Sequence, residues 1–286
     1  MDDRHLRALV AERHPLSSPA ALHRAEDYLA EQFRLLGLEV ASHPFKAMGE
    51  TYRNVIATVP ASPGNAAPLL IAAHYDTVLG SPGADDNASA LAVLLEAARC
   101  LREVTLGRDV RFIAFCLEEE DLLGSLAYAS WLRESHQEIC GAIVLECVGY
   151  ARAEEGSQRK PPGVPITVPS VGDFLAIVGN QASTGLVAAV EDAAKQHVPD
   201  LKTVSLVVPG NGEVLPDTRR SDHAAFWHYG YPAVMLTDTA DFRNPNYHQP
   251  TDTLETLDLG FMDKVARTVT AAALELAGTE IKKSVQ

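Results

Sequence analysis

Long apolar runs are missing from this chain: no stretch approaches the ~18 residues that a membrane-spanning helix needs. The opening residues, Met-Asp-Asp-Arg-His-Leu-Arg, lack the apolar core of a secretory signal, so a cytoplasmic protein with no membrane partner is expected. Cysteine is sparse, with four residues at positions 100, 116, 140 and 147 and no Cys-x-x-Cys pair. Cys116 and Cys147 fall in apolar, strand-like runs, where free cysteine behaves as a small hydrophobe, so buried thiols are expected rather than a disulfide framework. An excess of positive charge is also absent. Lys and Arg number 24 against 38 Asp and Glu, and the net charge of −14 argues against nucleic acid or an anionic membrane surface as the natural partner. There is no internal repeat and no linker that would divide the chain, so residues 1–286 are read as a single domain.

Against these absences stands an ordinary globular composition, 47% hydrophobic and 22% charged, long enough to bury a large core. Residues 17–37 begin with Ser and Pro, end in Gly, and space Leu22, Ala25, Leu29, Phe33 and Leu36 at helical intervals. Two strands follow, at 38–45 and 53–60, with His43 expected as an exposed strand residue and 62–65 as a turn. From there strands and helices alternate. Strands are predicted at 68–73, 109–117, 141–149, 174–178, 203–208 and 233–237, with helices at 88–99, 122–133, 183–197 and 257–276. Polar loops occupy 151–173, 209–221 and 238–252; the first is long enough to be functional or mobile, and could form a pocket rim. The alternation predicts an α/β fold, a three-layer αβα sandwich around a mixed, mostly parallel sheet, with its first edge antiparallel.

Chemistry gathers at strand ends. His74 and Asp76 follow the strand at 68–73, with Asp85, Asp86 and Asn87 before the next helix. Glu118 and Glu119 follow the strand at 109–117, Glu146 sits late in 141–149, and His248 lies in the loop after 233–237. Parallel strands converge at their C-terminal edge, where α/β proteins place ligands. Imidazole mixed with carboxylate suits zinc, and two ions ~3.5–4 Å apart become feasible if one carboxylate bridges them. Each element has a plainer reading. Asp86 or Asn87 could cap a helix, and residues 118–121 could be a solvated acidic turn or a helix start favoured by the dipole. Glu146 is harder to dismiss, because an unpaired carboxylate inside an apolar run is costly.

These motifs resemble those of the co-catalytic zinc aminopeptidases, the group of aminopeptidase Y and the bacterial leucyl aminopeptidases. Their superfamily also holds glutamate carboxypeptidase and the single-zinc glutaminyl cyclase. The matching stretches are His74-Tyr-Asp76, Pro82-Gly-Ala-Asp-Asp-Asn-Ala-Ser89, Phe115-Cys-Leu-Glu-Glu-Glu-Asp-Leu-Leu-Gly-Ser125, Val144-Leu-Glu-Cys-Val-Gly149, Ser221-Asp-His223, and Arg243-Asn-Pro-Asn-Tyr-His248 with Asp252-Thr253. The similarity runs from about Arg13 to the final helix. It implies a metallopeptidase binding two Zn²⁺ ions, replaceable by Co²⁺ or Mn²⁺. Asp86 would bridge, His74 and Glu146 would complete one site, and Glu119 and His248 the other. Glu118 would be the general base, and Asp76 would orient the His74 imidazole. Three positions depart from the family pattern: Glu146 where Asp is usual, Asp121 where many relatives have Gly, and Ala90 for a Gly.

Ser221-Asp-His223 is not read as a nucleophilic triad, because triad members are brought together by the fold rather than by adjacency. Asp222 and His223 are expected behind the ligands or in the substrate pocket. Tyr247 is a candidate donor to a tetrahedral oxyanion, and Arg219, Arg220 and Arg243 are candidates to orient a carboxylate. The activity implied is removal of N-terminal residues from a peptide substrate. Within the superfamily the alternatives are cyclisation of N-terminal glutamine and cleavage of a C-terminal acidic residue. A non-catalytic binding protein would have lost ligands, and each ligand position here holds a competent residue. Side-chain preference and oligomeric state leave no mark in the sequence.

Overall fold

A computed structural model describes residues 3–61 and 66–278, so the turn expected at 62–65 lies outside the described residues. The strands are β1 (Glu39–Ala47), β2 (Glu50–Val59), β3 (Leu69–His74), β4 (Val110–Phe115), β5 (Gly141–Glu146), β6 (Phe174–Asn180), β7 (Lys202–Val208) and β8 (Ala233–Thr237). The helices are α1 (Arg4–Leu9), α2 (Pro19–Leu35), α3 (Ala90–Leu101), α4 (Leu123–Glu134), α5 (Thr184–His197), α6 (His223–His228) and α7 (Leu259–Ala277). The strands form one sheet in the order β1-β2-β4-β3-β5-β8-β6-β7.

Period-2 side-chain alternation explains the layers. In β3, Leu69, Ile71 and Ala73 enter one core with α2, α3, α5 and α7, while Leu70 and Ala72 enter the other with α4 and α6. Strands buried on both faces need continuous apolar sequence, which β3, β5 and β8 supply. The α3 and α7 helices use small alanines to approach the sheet closely, whereas the opposite layer fills its space with Tyr128, Phe226 and Trp227.

The centre of the sheet, β4-β3-β5-β8, is parallel throughout. The expected antiparallel edge is present as β1-β2 against β4. A second reversal was not foreseen: β6 runs antiparallel to β8, and β7 follows β6. Connection direction leaves no periodicity in the sequence, because the loops between β5 and β6 and between β7 and β8 are long enough to return the chain from either edge. Two short helices, α1 and α6, also escaped prediction, since six residues are too few to show a helical period. His43 is half-buried rather than exposed, with its ring edge-on to Tyr128 at 5.2 Å and Nδ1 3.2 Å from Asn54 Nδ2. The four cysteines are unpaired. Among the described residues no helix is long and apolar enough to cross a membrane.

One buried amide fixes the end of β4. Asn54 accepts a hydrogen bond from the Cys116 N–H at 3.0 Å and donates to the Gly124 carbonyl at 2.9 Å, tying the strand end to the start of α4. A Cβ on Gly124 would stand 2.1 Å from the Cys116 carbonyl oxygen and 2.6 Å from Asn54 Oδ1. Because the obstacle is backbone, relief requires the strand end to move. The Gly124→Ala variant is expected to lose about 2 kcal/mol or more of stability, read from the midpoint shift in urea denaturation. A midpoint unchanged from the parent would show that the strand end yields.

Candidate metal centre

The parallel strands deliver the predicted residues to one edge. His74 is the last residue of β3 and Glu146 the last of β5, while Glu118 and Glu119 follow β4 by three and four positions. Asp76 holds that last pair in place: its Oδ1 and Oδ2 accept the backbone N–H groups of Glu118 at 3.1 Å and Glu119 at 3.0 Å. Its Oδ1 lies 3.6 Å from His74 Nδ1, so its direct bonds are to the Glu118–Glu119 backbone and its effect on the imidazole is electrostatic.

The turn carrying Asp86 is irregular. Residues Ala84–Ser89 form a single wide turn, inside which Asp86 (φ −107°, ψ 86°) and Asn87 (φ −136°, ψ 33°) leave helical geometry. Neither acts as a side-chain helix cap. Asn87 bridges to β5 through Leu145 O and Cys147 N, each at 3.0 Å. Asp85 accepts from Gly149 N at 2.8 Å and from Asn244 Nδ2 at 2.7 Å. Asp252 accepts the backbone N–H groups of Asp85 and Asp86 at 2.9 and 3.2 Å. With its neighbours turned to loop anchoring, the Asp86 side chain alone points into the centre.

Two groups of donor atoms result, sharing Asp86. In the first, His74 Nε2 lies 3.2 Å from Asp86 Oδ1 and 3.4 Å from Glu146 Oε2. In the second, His248 Nε2 lies 3.0 Å from Asp86 Oδ2 and 3.2 Å from Glu119 Oε2. Ligand atoms at zinc–nitrogen and zinc–oxygen distances around a tetrahedral ion stand about 3.3 Å apart, so both groups have the spacing of a coordination shell. His74 Nε2, Asp86 Oδ1, Glu119 Oε1 and His248 Nε2 are buried without a hydrogen-bond partner. Orphaned buried polar atoms of this kind are costly unless an ion completes them. The residues therefore fit divalent cations.

Electrostatics lead to the same conclusion. Burial and the charge of Asp86 lift the Glu119 carboxyl to about 8, and burial lifts Glu118 well above the usual range. Burial depresses both imidazoles. The carboxylates around them prevail, raising His248 to about 10 and His74 well above normal. Burial also raises Asp86, but the imidazoles of His248 and His74 beside it outweigh that and hold the carboxyl below its ordinary range. Without cations the site balances itself with protons, which divalent ions would replace. The longer Glu146 arm is accommodated: Ser221 Oγ donates to its Oε2 at 2.7 Å, and Cys147 Sγ lies 3.2 Å from Oε1.

The weaker expectations divide. Tyr247 stacks on His248 with ring centroids 3.8 Å apart, and its hydroxyl accepts from Arg220 Nη2 at 3.3 Å. Asp222 is fully buried behind the centre, where burial raises its carboxyl to about 7. His223 faces away. Its Nε2 meets Thr218 O at 2.8 Å and its ring packs edge-on to Trp227, an arrangement that suits the neutral form. The Arg243 guanidinium is engaged by Gln158 and by the carbonyls of Tyr150 and Phe174. Arg219 lines a separate groove between α4 and α6.

Sequence reasoning missed a cavity of about 110 Å³ that adjoins Glu146 and Tyr247. Val178, Leu206 and Met235 line it from the sheet, and Val164 and Ile166 from the 151–173 loop, which thus does form a wall. Half-exposed Arg220, paired with Asp241 at 2.9 Å and Asp217 at 3.6 Å, adds a polar border. The lining residues are scattered through the chain, so no local pattern announces it.

Comparison with known proteins agrees with this geometry. An uncharacterized protein, YfbL, from Escherichia coli (strain K12) is 34% identical over 279 residues, covering 92% of this chain and 84% of its own. BSAP, described as a zinc aminopeptidase from Bacillus subtilis, is 28% identical with a TM-score of 0.61, over 82% of this chain and 52% of that one. The chain thus spans about half the length of that enzyme. The glutaminyl cyclase of Porphyromonas gingivalis shares the fold at 20% identity, with a TM-score of 0.68 over 96% of this chain and 95% of its own. The model of peptidase family M28 matches residues 54–273, which include every residue of both donor groups, and the chain belongs to that family.

Proposed function

We propose that this protein is a zinc-dependent aminopeptidase that uses two ions per chain. The observation that carries the reading is Asp86, whose two oxygens face separate imidazoles at 3.2 and 3.0 Å. His74, Asp86 and Glu146 would hold one ion, and Asp86, Glu119 and His248 the other. When bound, the ions supply Lewis-acid charge that polarises the scissile carbonyl and makes water more acidic. Glu118 is the general base. It stands 3.7 Å from His74 Nε2 without belonging to either donor group, and an elevated pKa suits it to take a proton from water and return it to the leaving amine. Tyr247 can present its O–H to the developing oxyanion while Arg220 occupies its lone pair. The adjoining apolar cavity receives the side chain of the first residue.

Three outcomes follow. Dialysis against a strong chelator is expected to abolish hydrolysis of aminoacyl-anilides, with Zn²⁺ or Co²⁺ restoring it; activity that survives complete metal removal would refute the reading. Glu118→Gln should retain both ions in elemental analysis while kcat falls ~10²-fold or more, whereas Asp86→Ala should lose them. Among anilides, leucine, methionine and phenylalanine substrates should exceed glycine and aspartate in kcat/KM by about tenfold or more, since one or two buried methylenes separate substrates by that much. A single ion per chain, with glutaminyl peptides cyclised and anilides untouched, would move the assignment to glutamine cyclisation.

A further inference from the structure

Arg13 lies outside the stretch that matches the family model, and it is about 1% exposed. An isolated buried cation is costly unless its hydrogen bonds are made. Among the described residues it has no direct carboxylate partner. Instead its guanidinium donates to backbone carbonyls: Nε to Tyr75 O at 2.7 Å, Nη1 to Leu9 O, to Ala11 O at 2.7 Å and to Pro82 O at 3.1 Å, and Nη2 to Gly83 O at 3.1 Å. Its own backbone N–H donates to Thr77 Oγ1 at 2.9 Å. Burial lowers the guanidinium pKa to about 10, and the charges of Asp76, Asp86, Asp252 and Glu119 oppose that fall.

The acceptors are unevenly placed. Tyr75 sits between His74 and Asp76, while Pro82 and Gly83 lead into Asp86. One planar fork therefore joins both ends of the loop between a ligand on β3 and the shared carboxylate. The fit is tight: a Cβ on Gly83 would stand 2.8 Å from Arg13 Nη2, 2.3 Å from Thr77 Cγ2 and 2.4 Å from Asp86 O. Leu9 and Ala11 tie the same fork to α1 and the segment after it.

We infer that Arg13 is a positioning residue for the metal centre: its guanidinium fork sets the register between His74 and Asp86, so the N-terminal segment is part of the metal-binding apparatus. This rests on the two-ion reading above. Charge and geometry make opposite predictions. As a cation near four carboxylates, Arg13 opposes the approach of divalent ions, so if charge dominated, an uncharged side chain would tighten metal binding. If the fork dominates, Arg13→Met weakens binding, and Arg13→Lys also weakens it although the charge remains, because an ammonium lacks the rigid planar set of donors.

The test is calorimetric titration of Zn²⁺ into metal-free wild type, Arg13→Lys and Arg13→Met, well below each variant's melting temperature, with Co²⁺ absorption as a second readout of ligand geometry. Loss of affinity in Arg13→Lys of about tenfold or more, on the scale seen when groups supporting metal ligands are removed, is the expected result. Arg13→Met, where it folds, should lose at least as much. Wild-type affinity and Co²⁺ spectrum in Arg13→Lys would overturn the inference, as would tighter binding by Arg13→Met, even if melting temperatures fall. Absence of metal uptake by the wild type would instead defeat the two-ion reading itself.

Discussion

The whole centre depends on one carboxylate being shared. Asp86 can face His74 with one oxygen and His248 with the other only if its backbone leaves helical geometry immediately before α3. Hydrogen bonds from three directions hold the turn in this shape. Asp252 fixes the turn from one side by accepting two of its N–H groups, Asn87 ties it to β5, and Asp85 ties it to the loops after β5 and β8. Three successive polar residues thus serve one geometric end, and only the middle one faces the two imidazoles.

The same arrangement explains why so much acid can be buried. Five carboxyl-bearing residues (Asp76, Asp86, Glu118, Glu119 and Glu146) meet two imidazoles in a site that is largely closed to solvent. Surrounding carboxylates push His248 up and burial pushes Glu119 up, so both groups favour holding a proton, which offsets part of this charge. A site poised in this way is structurally unsatisfied by its own residues alone, which is what distinguishes it from the acidic surface that gives the chain most of its negative charge.

The sheet decides what stands next to the centre. Beside β8, the inner faces of β6 and β7 and the 151–173 loop enclose an apolar cavity adjoining Glu146 and Tyr247. Asp121 adopts φ 61°, a left-handed conformation that favours glycine and that aspartate tolerates better than most residues. Glu146 keeps its carboxylate on the centre because Ser221 and Cys147 flank both oxygens.

What the sequence determined by itself was whatever depends on short range. Apolar runs and helical spacing marked the main elements, and the position of His74, Glu118, Glu119 and Glu146 at strand ends followed once those strands were drawn. The tertiary structure decided the rest. Apart from the motif resemblance, nothing local distinguishes Asp86 from Asp85, since long-range partners, Asn244 and Gly149 for one and two imidazoles for the other, separate an anchor from a shared donor. Arg243 and Arg13 look alike as single basic residues in a sequence. One is used to fasten loops behind the cavity and the other beneath the His74–Asp86 loop, because carbonyls far apart in the chain converge on each guanidinium. The cavity, likewise, exists only where β6, β7, β8 and a loop come together, and packing of that kind has no signature along the chain.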